Sequence, residues 1–214
     1  MRRLRAPATV VYALVLVGTT LAQLLVASTT RHRLLTGSST DVVHLARDPL
    51  LVVLASAFWL PDVTSVVLAP LVFLVLGLGE RRFGTARMVM TFAVGHLAAT
   101  LLTEGTVAVG VYAGWLTTSH EHRLDVGPSY GVCAVLGLLV ASLPAARRNA
   151  GYVVLTVLLG VPLIVDSELT TIGHVLAAAV GVALWWVPWF RRARPGRAAR
   201  RVPCRRDYSS ASRC

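Results

Sequence analysis

Long apolar runs constrain this chain more than any other feature of its sequence. The first, over residues 10–27, contains no charged side chain, and several later runs approach the ~20 residues that cross the hydrocarbon core of a bilayer. Charged residues make up only 14% of the 214 residues, which is too few for a soluble domain of that length. The sequence therefore predicts an all-α, polytopic membrane protein.

The apolar runs and the polar stretches between them fit six membrane spans in one domain over residues 10–190. The spans are expected at residues 10–27, 63–78, 86–102, 127–143, 152–165 and 170–190. Residues 50–60 are apolar but too short to cross the membrane alone. Three readings stay open for this segment: part of a long kinked second span, a re-entrant segment covered by protein or water, or an interfacial helix.

Basic residues collect on one predicted side of the membrane. They lie in residues 1–9, at the Arg81-Arg82 and Arg147-Arg148 turns and in the tail at 191–214, whereas most acidic residues fall in the other connections. Because lysine and arginine mark the cytoplasmic side, we expect both termini in the cytoplasm, a plasma-membrane location and a disordered tail. This topology accounts for the net charge of +11 with the lipid bilayer, and not nucleic acid, as the partner.

Small residues recur at helical spacing in the fourth and sixth predicted spans. They are Gly127, Gly131 and Ala134 in the fourth span and Gly173, Ala177 and Gly181 in the sixth. Helices in lipid gain no hydrophobic free energy by associating, so close packing depends on such residues. The pattern predicts that these two helices lie side by side, although small-residue stripes also occur where helices only pack.

Ser129 and His174 lie near the same end of the two stripes. A serine hydroxyl is a weak nucleophile that needs a base to take its proton, and an imidazole can do so near neutral pH. With Gly127 or Asp125 as the cap, the amides of Ser129, Tyr130 and Gly131 precede the first intrahelical hydrogen bond and can stabilise an oxyanion. A serine in a membrane helix often only packs, whereas an intramembrane histidine is more often functional.

Other candidate bases and ligands are weaker. His96 is a rival base, but its mid-span position would place it far below Ser129. His120 and His122 flank Glu121 in a predicted loop, a pattern more typical of solvated residues than of a metal site. The three cysteines lack the spacing of a metal site or a disulfide framework. We therefore expect no metal and no cofactor.

Three stretches, in this order, resemble motifs of the rhomboid intramembrane serine proteases. Glu80, Arg82 and Gly84 match the family's Glu-x-Arg-x-Gly structural turn after the second span. Residues 127–131, Gly-Pro-Ser-Tyr-Gly, are similar to its Gly-x-Ser-Gly nucleophile motif. Residues 173–181 are similar to the histidine motif of its sixth span.

The resemblance implies a six-helix bundle with a water-filled cavity open to the outer face. Ser129 would be the nucleophile and His174 the general base of a dyad that needs no acid and no cofactor. The substrates would be transmembrane segments of other membrane proteins, which the protein would cut near the outer surface as an intramembrane serine endopeptidase.

The chain also departs from the family's pattern. Tyr130 stands where the family has glycine, and Cys133 stands where an aromatic residue packs on the histidine, with Tyr130 as a candidate substitute. The family's histidine and asparagine oxyanion donors correspond to about Thr64 and Leu68; Thr64 or the neighbouring Ser65 can donate weakly, whereas Leu68 cannot. Losing one such donor typically costs ~3 kcal/mol of transition-state stabilisation.

These departures favour an alternative, a rhomboid-like pseudoprotease that binds transmembrane clients without cleaving them. A third hypothesis is a small transporter or structural membrane protein in which Ser129 and His174 only pack.

Overall fold

A computed structural model describes residues 6–60, 67, 69–119, 124–166 and 169–191 of the chain. The described residues form helices and connecting turns. The helices are α1 (Pro7–Leu25), α2 (Ser28–Gly37), α3 (Val42–Arg47), α4 (Pro49–Ser56), α5 (Ala69–Phe83), α6 (Thr85–Tyr112), α7 (Ser129–Ala141), α8 (Ala145–Asp166), α9 (Leu169–Leu184) and α10 (Pro188–Arg191).

Three of the described helices are long and apolar enough to cross a bilayer: Pro7–Leu25, Thr85–Tyr112 and Ala145–Val165. The helices α7 and α9 are apolar but shorter. The prediction of an all-α membrane protein is confirmed. The count of six spans stays a prediction, and residues 63–66 and 68 of the second predicted span lie outside the described residues, as does the tail beyond residue 191.

The centre of the bundle is formed by α6, α7 and α9, which approach through small residues. A Cβ atom added at Gly181 would overlap the backbone carbonyl of Ala134, and one at Gly137 would overlap that of Ala178. On the neighbouring face, a Cβ at Gly95 of α6 would overlap the Cβ of Ala134. Glycine is therefore required for this backbone separation, which is the packing that small residues permit in lipid.

The apolar core on the other side of α7 joins it to α5 and α6. Its buried side chains are Val75, Leu76, Met88, Val132 and Val135, each less than one-tenth exposed. With glycines of α6 and α9 on one side and this apolar core on the other, α7 is enclosed by its neighbours on most sides, as its buried residues show.

The end of α5 ties three helices together through Glu80. The Glu80 carboxylate is fully buried and accepts hydrogen bonds from the Ala8 amide at 3.0 Å, the Thr9 amide at 2.8 Å and the hydroxyls of Thr9 and Thr85, each at 2.7 Å. The α1 helix begins after Ala6, which offers no side-chain cap. Glu80 supplies that cap from another helix, satisfying amides that an α-helix leaves unpaired and placing negative charge at the positive end of α1.

Arg82 and Gly84 complete this junction. The Arg82 guanidinium donates a hydrogen bond to the Ser142 carbonyl at the end of α7. Gly84 has φ 88°, a left-handed conformation that favours glycine, and it directly precedes α6. The expected charged turn over residues 80–84 is therefore wrong in its extent: Glu80 and Arg82 continue α5 because they have partners there, and Gly84 alone makes the turn.

The ends of the bundle are distinct. The start of α1 and the ends of α5, α7 and α9 meet at one end, which carries Arg81, Arg82, Arg147, Arg148 and Arg191 and is called the basic end below. The start of α7 and the start of α9 lie at the opposite end, called the serine end below.

Several helices begin or end at residues that differ from those predicted. The third span was expected to end at residue 102, but α6 continues to Tyr112 and includes Glu104 on its buried face. The residues Arg147 and Arg148 lie in the first turn of α8 and not in a separate turn. The sixth span was expected to reach residue 190, but α9 ends at Leu184 and Pro188, which lacks an amide hydrogen, starts a new short helix.

The first connection is also more structured than expected. Residues 31–48 lie in one of the polar stretches between the predicted apolar segments, yet most of them belong to α2 and α3. The Asp41 carboxylate caps α3 by accepting from the amides of Val43 and His44. The first part of residues 50–60 belongs to the eight-residue helix Pro49–Ser56, which rises about 12 Å and cannot cross the membrane by itself.

Candidate active site

Ser129 is the first residue of α7, and the backbone before it is tightly turned. Pro128 occupies the capping position, and Gly127 has φ 135°, a conformation that L side chains rarely adopt. The first intrahelical hydrogen bond runs from the Val132 amide to the Pro128 carbonyl at 3.0 Å. The amides of Ser129 and Gly131 therefore precede it and lie at the positive end of the helix.

The segment that leads to Ser129 is held by residues that the sequence did not single out. The Asp125 carbonyl accepts from the Thr40 amide at 2.9 Å, and the Asp125 amide donates to the Ser39 hydroxyl at 3.0 Å. The Gly127 amide donates to the Ser56 carbonyl at 2.9 Å. These contacts join residues 71 to 86 positions apart in the chain, so no local pattern could have indicated them.

His174 lies in the second turn of α9 and is partly buried. Its Nε2 atom is buried and has no hydrogen-bond partner within the described part of the chain. The Tyr130 ring meets the His174 ring nearly edge-on, with centroids 5.3 Å apart and planes at 68°. Tyr130 is thus the aromatic residue that packs on this histidine, in the role that Cys133 does not fill.

Gly173 makes room for this ring contact. A Cβ atom at Gly173 would lie 2.5 Å from Cε1 and Cζ of Tyr130. A Cβ at Gly131 would likewise lie 2.5 Å from the Phe92 ring. These two glycines therefore allow Tyr130 and Phe92 to fill the space between α6, α7 and α9.

Ser129 and His174 line one cavity at the serine end. The cavity has a volume of about 530 Å³ and is open on one side. Its other walls come mainly from apolar side chains of α1 and α5, including Leu21, Leu24 and Phe73. Both side chains line this cavity, and no hydrogen bond joins Ser129 to His174 in the described structure.

The remaining predicted residues fall into three groups. Ala134, Gly173, Ala177 and Gly181 lie buried between α7 and α9. The Glu80, Arg82 and Gly84 junction lies at the basic end, away from the cavity. Thr64, the expected weak oxyanion donor, lies outside the described residues, as do His120, Glu121 and His122.

His96 takes part in the site's surroundings in a way the sequence did not predict. Its Nε2 atom lies 3.1 Å from the Ser56 hydroxyl and 3.2 Å from the Val53 carbonyl. Its ring packs between Phe92, at 6.1 Å, and Tyr130, at 6.2 Å. From the sequence His96 was only a rival base, although an ionisable side chain inside a membrane span is costly and is often functional.

The fold and the site define a helical membrane protein with a serine and a histidine facing one cavity between its helices. In the comparisons with known proteins, the family model described as rhomboid-like protein matches residues 2–194. The chain therefore belongs to the rhomboid-like family. No curated protein and no solved structure matches the chain.

Proposed function

We propose that this protein is a serine-type intramembrane endopeptidase in which Ser129 is the nucleophile and His174 the general base. The observation that carries the proposal is the shared cavity: both side chains line it at the starts of α7 and α9. The buried His174 Nε2 without a partner supports it, because a base must offer a lone pair to the serine proton.

The reaction follows ordinary serine-protease chemistry. The Ser129 oxygen attacks the substrate carbonyl while His174 Nε2 takes the hydroxyl proton, and the tetrahedral intermediate forms. The amides at the start of α7 face the developing oxyanion. His174 then gives its proton to the leaving amine, and water hydrolyses the ester on Ser129 with His174 again as the base. The dyad hydrogen bond forms with substrate bound, as is common for catalytic pairs that are loose without it.

The walls of the cavity support a transmembrane segment as the substrate. Apolar side chains of α1 and α5 line the same cavity as Ser129, and an apolar helix or an unwound part of one can bury its side chains against them. The 13 residues of α7 rise about 20 Å, less than the ~30 Å hydrocarbon core. With its other end at the basic interface, α7 would therefore hold Ser129 within the thickness of the membrane.

The test is cleavage by the purified protein in proteoliposomes that contain a single-span model substrate. Ser129→Ala and His174→Ala should each abolish cleavage, and labelling by a fluorophosphonate should require both side chains. The exposed residues Ser119 and His32 provide matched controls, and Ser119→Ala and His32→Ala should cleave like the wild type. Unchanged cleavage by either Ser129→Ala or His174→Ala would refute the dyad.

A second candidate function is client binding without cleavage. It is favoured by the lack of a hydrogen bond between Ser129 and His174 and by Leu68, which cannot donate to an oxyanion. A photo-crosslinking residue at Phe73, on the cavity wall, should capture the model substrate under either function. Capture by the wild type with the substrate left intact would favour this second candidate.

We also propose that the protein lies in the plasma membrane with residues 1–9 and the tail at 191–214 in the cytoplasm and the membrane domain over residues 10–190 between them. The arginines of the basic end support this orientation, because excess positive charge marks the cytoplasmic side. Ser129 and His174 would then lie toward the outer leaflet.

A further inference from the structure

A buried polar pair lies directly behind the candidate active site. Ser56 is fully buried at the end of α4, and His96 is only 4% exposed in the middle of α6. Their Oγ and Nε2 atoms are 3.1 Å apart. With the proton on Nε2, His96 donates toward the Ser56 hydroxyl and the Val53 carbonyl, and Ser56 donates to that same carbonyl at 3.1 Å.

The Ser56 half of the pair contacts the backbone that leads to the nucleophile. The Ser56 carbonyl accepts from the Gly127 amide at 2.9 Å, two residues before Ser129. The end of α4 is itself fixed to α1, because the Tyr12 hydroxyl donates to the Ala57 carbonyl and the Thr19 hydroxyl donates to the Phe58 carbonyl at 2.7 Å.

The His96 half of the pair contacts the side chain that packs on the base. Its ring lies 6.2 Å from the Tyr130 ring, which in turn lies 5.3 Å from the His174 ring. On its other side, the His96 ring packs against the Phe92 ring. Displacement of His96 would therefore move Tyr130, and displacement of Tyr130 would move His174.

We propose that Ser56 and His96 form a positioning pair that sets the approach of Ser129 through Gly127 and the orientation of His174 through Tyr130. The inference rests on the proposed endopeptidase function. Packing alone would not require it, since a phenylalanine at position 96 would fill the same space without burying polar atoms. A buried hydrogen bond fixes the relative orientation of its donor and acceptor as well as their contact, and catalysis depends on such orientation.

Three variants separate the hydrogen bond from the packing. His96→Phe keeps a flat ring between Phe92 and Tyr130 but removes the bond to Ser56. Ser56→Ala removes the hydroxyl and keeps the carbonyl that holds Gly127. His96→Gln places an amide donor where Nε2 lies. We expect His96→Phe and Ser56→Ala to lower kcat about tenfold with KM unchanged, and His96→Gln to recover most of that loss.

The thermal unfolding midpoint of each variant shows that it is folded at the assay temperature. A wild-type kcat in His96→Phe would overturn the inference. So would a His96→Gln variant as impaired as His96→Phe, because the recovery depends on the restored donor and not on the ring.

A second readout is independent of cleavage. In protein with ¹³C-labelled histidine rings in lipid nanodiscs, the His174 signal is identified by its loss in His174→Ala. We expect this signal to shift in His96→Phe and Ser56→Ala and to stay in place in His32→Ala. A protein that does not cleave but shows these shifts would refute the proposed function and support the positioning pair. If the protein cleaves but the His174 signal does not move in His96→Phe, the proposed function would be supported and the positioning pair refuted.

Discussion

At the scale of single residues, Glu80 shows how this chain tolerates a charge inside the bundle. Its carboxylate is fully buried and accepts hydrogen bonds from two backbone amides and two hydroxyls. A buried carboxylate is costly unless it is hydrogen-bonded on both oxygens. Here the donors include the start of α1, so the same bonds that solvate the charge also cap a helix.

Replacement of Glu80 by alanine should therefore destabilise the protein. The amides of Ala8 and Thr9 would lose their acceptor, and we expect the free energy of unfolding to fall by about 2 kcal/mol. The measurement is unfolding in mixed detergent micelles, followed by circular dichroism.

Asp48 offers the matched control for this variant. It is exposed and makes no side-chain capping bond at the start of α4, so Asp48→Ala should stay within about 0.5 kcal/mol of the wild type. Equal stabilities of Glu80→Ala and Asp48→Ala would contradict the capping role of Glu80.

At the scale of elements, the contact between α7 and α9 depends on glycines that face backbone atoms. Gly181 has no space for a Cβ because the Ala134 carbonyl occupies it. A methyl group there must push the two helices apart, and overpacking of this kind costs about 1–3 kcal/mol. Since Ser129 and His174 stand on these two helices, their separation also changes the site.

Gly181→Ala should therefore lower both the unfolding midpoint and the rate of fluorophosphonate labelling at Ser129. Gly105 in α6 is the matched control, because a Cβ there would meet nothing within 4 Å. Gly105→Ala should leave labelling unchanged and stabilise the helix slightly, since alanine is a better helix former than glycine. Labelling by Gly181→Ala at the wild-type rate would show that the helix separation does not control the site.

The elements also show how far the sequence could predict this protein. Apolar runs located α1, α6, α7, α8 and α9, and the four-residue spacing of small residues singled out the stripes between α7 and α9. Helix ends were less predictable: Glu104 looked like a loop residue because its burial depends on neighbouring helices. The hydrogen bond between Ser56 and His96 could not be predicted, since 40 positions separate the two residues in the chain and the sequence offered His96 only as a rival base.

At the scale of the whole molecule, the two ends of the bundle differ in charge and in what they hold. The basic end carries exposed arginines, whereas the serine end carries the cavity with Ser129 and His174. The orientation proposed above places these ends on opposite sides of the membrane.

Cysteine labelling tests that orientation. In a background without the three native cysteines, Ser119→Cys reports on the serine end and Asn149→Cys on the basic end, and both positions are exposed. A membrane-impermeant maleimide added to intact cells should label Ser119→Cys at once and Asn149→Cys only after lysis. The opposite order would place the basic end outside the cell.

The Glu80 cap has a consequence for how the helices assemble after synthesis. The acceptor for the Thr9 amide lies 71 residues later in the chain, so α1 emerges from the ribosome long before its partner exists. Until α5 has been inserted, the first turn of α1 has only water or lipid headgroups to satisfy it. Capping of the first turn of α1 by Glu80 therefore cannot precede insertion of α5.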